Sequence, residues 1–158
     1  MKTGLITEHF TWEEAAHSEL ASRYGIDNSI PEAIEPAILN TARCMERVRT
    51  LFHRPVIISS WYRCPDLNYK LKSAKTSQHL KGEAVDFSCP AAGNPATICK
   101  FIISWPELIS FDQLILEHNW IHISFTSIPS VKNRGQVLSL LKSGKYASGL
   151  TNQDGIPL

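Results

Sequence analysis

Long apolar runs are missing from this sequence. The most apolar stretches, VIISS (56–60) and FIISW (101–105), fall far short of the ~20 residues that span a bilayer. Membrane insertion is therefore not expected. An excess of one charge is missing too: 16 lysines and arginines meet 15 acids, for a formal net charge of +1. No basic face stands out, which excludes nucleic acid as a partner. The four cysteines, Cys44, Cys64, Cys89 and Cys99, form no CxxC pair, and this argues against a thiolate zinc site. The opening MKTGLITEHFTWEE lacks the apolar segment and small-residue cleavage site of a secretory signal. Synthesis in the cytoplasm is expected, and there thiols stay free rather than pair. No internal repeat or low-complexity tract is present.

The 158 residues are enough for one domain with a core. A single domain over 1–158 is expected, with 145–158 as a loose tail. Thr11 followed by Glu14 is a capping-box pattern opening WEEAAHSELASRYG, and Gly25 stands where a helix C-terminus takes glycine. Asp27-Asn28-Ser29 breaks the chain, and Pro31 suits the start of a helix over about 32–52. Ile34, Ile38, Leu39, Ala42, Met45, Val48 and Leu51 recur there at steps of three and four, which lays one face on a core. Pro55–Ser60 and Ala84–Phe87 predict strands, Pro65 opens a short helix to about Leu71, and Lys72–Gly82 predicts a polar loop. Asn94-Pro95 starts a further helix to about Ser104. FDQLILE and WIHISF predict two strands joined by His118-Asn119. The fold class is α+β: N-terminal helices on a small, mostly antiparallel sheet.

Three side chains carry the chemistry: His79, Asp86 and His122. Imidazole nitrogen and carboxylate oxygen both suit Zn²⁺, and three protein ligands leave the fourth position open, as catalytic sites do. Gly82 allows the tight backbone that returns His79 towards Asp86. If His118-Asn119 is the turn, Glu117 pairs with Trp120 and Ile115 with His122, on one face. Glu117 is then a diagonal neighbour of His122, able to take a proton from water attacking a carbonyl. On spacing alone, a bland alternative stays open: satisfied or solvated histidines, a paired aspartate and a solvated strand-end glutamate.

Read together, the motifs are Ser60-Trp61-Tyr62-Arg63, then Ser77-x-His79-x-x-Gly82-x-Ala84-x-Asp86, then Trp120-x-His122. This series resembles the zinc D-alanyl-D-alanine carboxypeptidase family of peptidoglycan peptidases, the M15 type. It is most similar to the short phage and prophage members, and HFTWEEAAHSELASRYGIDN resembles their N-terminal helix region. The resemblance spans about residues 8–126. It implies a DD-peptidase/hedgehog-like fold with one Zn²⁺ held by His79, Asp86 and His122. It also implies Arg63 as the group that binds and polarises substrate at a carbonyl or carboxylate, with Ser77 and Trp120 as substrate contacts. The implied partner is the peptidoglycan stem peptide, acted on by a monomer as a D-Ala-D-Ala carboxypeptidase. An L-Ala-D-Glu endopeptidase (an endolysin), or a non-catalytic wall-binding or phage structural module, is the alternative. Action at the wall then follows holin-type release or carriage with a phage. Two positions depart from the pattern. Trp61 replaces the usual glycine and is expected to reshape the pocket rim near Arg63. Asn119 stands where several members carry the catalytic acid, which leaves Glu117 as the nearest acid and His118 as its rival.

Overall fold

The hydroxyl of Thr11 accepts the Glu14 N–H, and the Glu14 carboxylate accepts the Thr11 N–H, so a complete capping box opens α1 (Trp12–Ala16). The computed structural model, which describes residues 2–158, does not carry this helix through to Gly25. His17 turns to extended backbone and the Ser18 hydroxyl accepts the Ala21 N–H, starting a second helix, α2 (Glu19–Tyr24). A serine that caps a new helix competes with continuation of the old one. Gly25, left-handed at φ 62, closes α2 as expected. A 3-10 turn (Glu32–Ile34) leads into α3 (Glu35–Phe52), which buries Ile38, Ala42, Met45 and Val48 along one face. The remaining elements are β1 (Ile57–Ser60), α4 (Pro65–Lys70), β2 (Ala84–Ser88), α5 (Pro95–Ile103), β3 (Gln113–Leu116), β4 (Ile121–Ser124), β5 (Gln136–Leu140) and β6 (Tyr146–Ser148).

The strands form one six-stranded sheet in the order β1-β2-β4-β3-β5-β6. Every neighbouring pair is antiparallel except β3 and β5, which run parallel, so the sheet is mixed and the fold α+β. The pleat separates two faces. Val85 and Phe87, Ile121 and Ile123, and Leu114 and Leu116 are buried in the core, joined by Ile38, Met45 and Val48 of α3 and Ile98 and Ile102 of α5. The residues between them, Asp86, His122 and Ile115, project from the opposite face, aligned by the pairings Asp86↔His122 and Ile115↔His122.

Residues 145–158 are not the loose tail expected. β6 pairs with β5 (Leu138↔Ser148, Leu140↔Tyr146), and Thr151 bridges to Pro157. The Ser139 hydroxyl donates to the Gly149 carbonyl at 2.9 Å and accepts the Thr151 N–H at 2.9 Å, which pins the segment. The hairpin is held in turn by β5 pairing with the distant β3, and an edge strand needs little apolar content. All four cysteines are free, and burial pushes the Cys99 thiol up to about 12. No helix among the described residues is long and apolar enough to cross a membrane.

Candidate metal centre

Two of the three expected ligands face each other by strand register, Asp86 on β2 directly opposite His122 on β4. The third arrives from a loop. His79 lies in a 3-10 turn (Gln78–Lys81) that Gly82 ends at φ 70, a left-handed conformation that disfavours a side chain. Glycine is required at 82 for a second reason. A Cβ there would stand 2.7 Å from Ile38 Cδ1 and 2.9 Å from Ile34 Cγ2, so the loop rests directly on helix side chains. The Gly82 carbonyl accepts from the Thr41 hydroxyl at 2.9 Å and from the Trp61 indole N–H at 3.2 Å.

Three ligand atoms converge. His79 Nε2 lies 3.2 Å from Asp86 Oδ1 and 3.2 Å from His122 Nδ1, and His122 Nδ1 lies 2.9 Å from the same Oδ1. His79 Nδ1 faces the Trp61 carbonyl at 2.6 Å, and since a carbonyl only accepts, that nitrogen carries the proton. The lone pair of Nε2 therefore points at the carboxylate. Burial, with only 2% of His79 exposed, pushes its imidazole below the usual histidine range despite the neighbouring Asp86 charge. A neutral imidazole acceptor beside a carboxylate oxygen calls for a cation between them. Zn²⁺, bonded tetrahedrally at ~2.0–2.1 Å, holds its ligands ~3.3–3.4 Å apart, close to the separations present. The donor set and its spacing fit, and the cluster can hold a metal ion.

Asp86 is oriented from outside. Its second oxygen, Oδ2, accepts from Arg63 Nη2 at 2.5 Å. Burial would raise the Asp86 carboxyl, but the imidazole cluster around it, with the hydrogen bond from His122, outweighs burial and holds it well below the carboxylate range. Arg63 is itself fixed by Nε–H donation to the Ser60 hydroxyl at 2.9 Å and by Nη1 near the Ser73 hydroxyl at 3.4 Å. A guanidinium has five N–H groups, so two remain unused.

The cluster opens into a cleft of about 960 Å³, also lined by Arg63, Ser77, Glu117 and Trp120. All the expected site residues thus meet in one place. The expected hairpin register is present as well: Ile115 pairs with His122, and the Glu117 N–H donates to the Trp120 carbonyl at 3.1 Å. Burial, reinforced by the charge of Asp86, pushes the Glu117 carboxyl above its usual range. His118 and Asn119 are exposed and do not line the cleft. Ser77 precedes the 3-10 turn, but its side chain makes no capping hydrogen bond there.

Trp61 departs from expectation. It is fully buried, packed edge-on to Phe10 with ring centroids 6.2 Å apart, and is not on the rim. Its backbone carbonyl meets His79, and its ring supports the site only from behind, through the indole N–H on the Gly82 carbonyl. Sequence reasoning also missed Glu83, a buried acid whose Oε1 accepts the N–H and hydroxyl of Ser127 at 2.9 and 2.6 Å, holding the crossover after β4. The signal was there to find: Glu83 lies inside the His79–Asp86 motif, beside buried Ala84. Tyr146, which also lines the cleft, has no local signal.

A family model described as Peptidase M15 matches residues 8–124 of the chain. No curated protein matches it.

Proposed function

Since the chain belongs to the peptidase M15 family, we propose that it is a zinc peptidase hydrolysing the peptide stem of bacterial peptidoglycan, as a D-Ala-D-Ala carboxypeptidase. One observation carries this reading: His79, Asp86 and His122 present three ligand atoms 2.9–3.2 Å apart in the cleft that Glu117 lines. Bound Zn²⁺ supplies a Lewis acid and lowers the pKa of coordinated water towards ~7. Glu117 takes the proton of the attacking water and returns it to the departing amine as the C–N bond breaks. Its raised proton affinity suits a group that must both accept and release a proton. Arg63 fixes Asp86 through one N–H and offers its two unused N–H groups to the substrate carbonyl or terminal carboxylate. Ser77 and Trp120 contact the peptide from the cleft walls.

A second reading, cleavage of L-Ala-D-Glu as an endopeptidase, is favoured by the size of the cleft. At about 960 Å³ it lies near the top of the ~300–1,000 Å³ range for ligand sites and has room beyond a terminal dipeptide. Mass analysis of digested muropeptides separates the two. Loss of one D-Ala from pentapeptide stems supports the carboxypeptidase, and release of stems from the L-Ala end supports the endopeptidase. Both activities must vanish on chelation and in His79→Ala. Digestion that survives both treatments would overturn the zinc peptidase reading.

A further inference from the structure

Beyond residues 8–124, where the family match ends, β5 and β6 add a wall to the same cleft. Their register says where it stands. Ile115 pairs with His122 on one side and with Leu138 on the other. One step along, Leu116 pairs with Ser139, so Glu117 comes level with Leu140, and Leu140 pairs with Tyr146. Side chains paired across strands share a face. A first row therefore runs Asp86, His122, Ile115, Leu138. The next row runs Trp120, Glu117, Leu140, Tyr146. Trp120 stands beside Glu117 on one side and Tyr146 lies beyond Leu140 on the other, and Trp120, Glu117 and Tyr146 all line the cleft.

We propose that Tyr146 is a substrate-binding residue of this site, its phenol donating a hydrogen bond to a backbone carbonyl of the bound stem peptide. With Trp120 opposite, it holds the peptide across Glu117. This rests on the peptidase reading above, although Tyr146 itself lies outside the family match. The residue is 54% exposed and lines the cleft, so it is accessible to a ligand there. Burial, together with the charges of Glu117 and Asp86, pushes the phenol above its usual range, which keeps it protonated and a donor at neutral pH. The aromatic ring provides a rigid apolar wall beside the small D-alanyl side chains.

The test compares wild type and Tyr146→Phe, both zinc-loaded, on a stem pentapeptide ending in D-Ala-D-Ala. KM is expected to rise about 3- to 10-fold, the size of one lost hydrogen bond, with kcat within about 2-fold. Zinc content and melting temperature should be unchanged, because the ring is kept. An unchanged KM, or a loss confined to kcat, overturns the proposal. Binding of the same peptide to the zinc-loaded Glu117→Gln protein, with and without Tyr146→Phe, gives an independent readout. If wild type binds the peptide without cutting it, the peptidase reading fails, while the effect of Tyr146→Phe on binding still decides the role of Tyr146. If wild type binds no stem peptide, the proposal falls.

Discussion

Arg63 and Asp86 divide one carboxylate between two tasks: Oδ2 receives the guanidinium at 2.5 Å, while Oδ1 faces the imidazoles of His79 and His122. The arginine thus sets the rotation of a candidate metal ligand as well as facing the cleft. Arg63→Lys keeps the charge but loses the planar fork that reaches Ser60 and Asp86 together. The expected outcome is zinc affinity weaker by about 10- to 100-fold, as for lost partners of metal ligands. Competition with a zinc chelator checks this. Unchanged affinity with lost activity would instead assign Arg63 to the substrate alone.

Glu117 lies outside the ligand cluster but in the same cleft. Glu117→Gln is isosteric and cannot accept a proton. Hydrolysis is expected to fall by about 10²- to 10⁴-fold, the usual contribution of a general base, with the full zinc complement retained. Turnover at the wild-type rate would move the base to another residue.

Gly82 and Gly25 share a left-handed backbone, at φ 70 and φ 62, but differ in surroundings. A Cβ at 25 meets nothing within 4 Å, whereas one at 82 meets Ile38 and Ile34 below 3 Å. Gly25→Ala should therefore show only the backbone strain, about 1–2 kcal/mol. Gly82→Ala adds overpacking of about 1–3 kcal/mol and should melt several degrees lower than Gly25→Ala. It should also weaken zinc binding, since the displaced loop carries His79. Equal melting points for the two variants would show that the contact with α3 is soft.

The metal-free protein should lose stability on mild acidification. His79 is held below its ordinary 6.5, so the unfolded chain binds a proton more readily than the folded one. Its contribution is present above about pH 6.5 and is lost as pH falls below it, by up to about 1.4 kcal/mol per pH unit. Asp86, also held low, acts with the same sign below its ordinary 3.8. Glu117, held above 4.5, has the opposite sign: its contribution is present below that value and is lost as pH rises through its raised pKa. In chelated Glu117→Gln protein, where that opposing group is absent, thermal melting between about pH 7.5 and 5.5 measures the His79 effect. A flat melting profile would mean that His79 is not held neutral.

The parts of the site legible from the chain were local or sat in strands with strict alternation. AVDFS shows its own pleat, with Asp86 between Val85 and Phe87, and WIHISF does the same for His122. The pair His118-Asn119 set the register that brings Glu117 level with Trp120. Contacts made by distant or backbone groups were not legible. Nothing near Tyr146 says that a parallel pairing of Leu138 with Ile115 will carry it to the cleft. Nothing in Trp61 says that its ring faces the core while its carbonyl faces His79. The single helix expected from Trp12 to Tyr24 broke because Ser18 is as good a cap as Thr11.

The Trp61 carbonyl has a consequence for how this site tolerates change. The partner that selects the tautomer of His79 belongs to the main chain, so no exchange of a side chain can delete it. Only a shift of the backbone beyond β1 could. A tryptophan can therefore occupy a position that the motif ordinarily gives to glycine, and the histidine keeps the same proton on the same nitrogen. An alanine scan would register Trp61 through its packing and its indole bond to Gly82, and would pass over the carbonyl bond altogether.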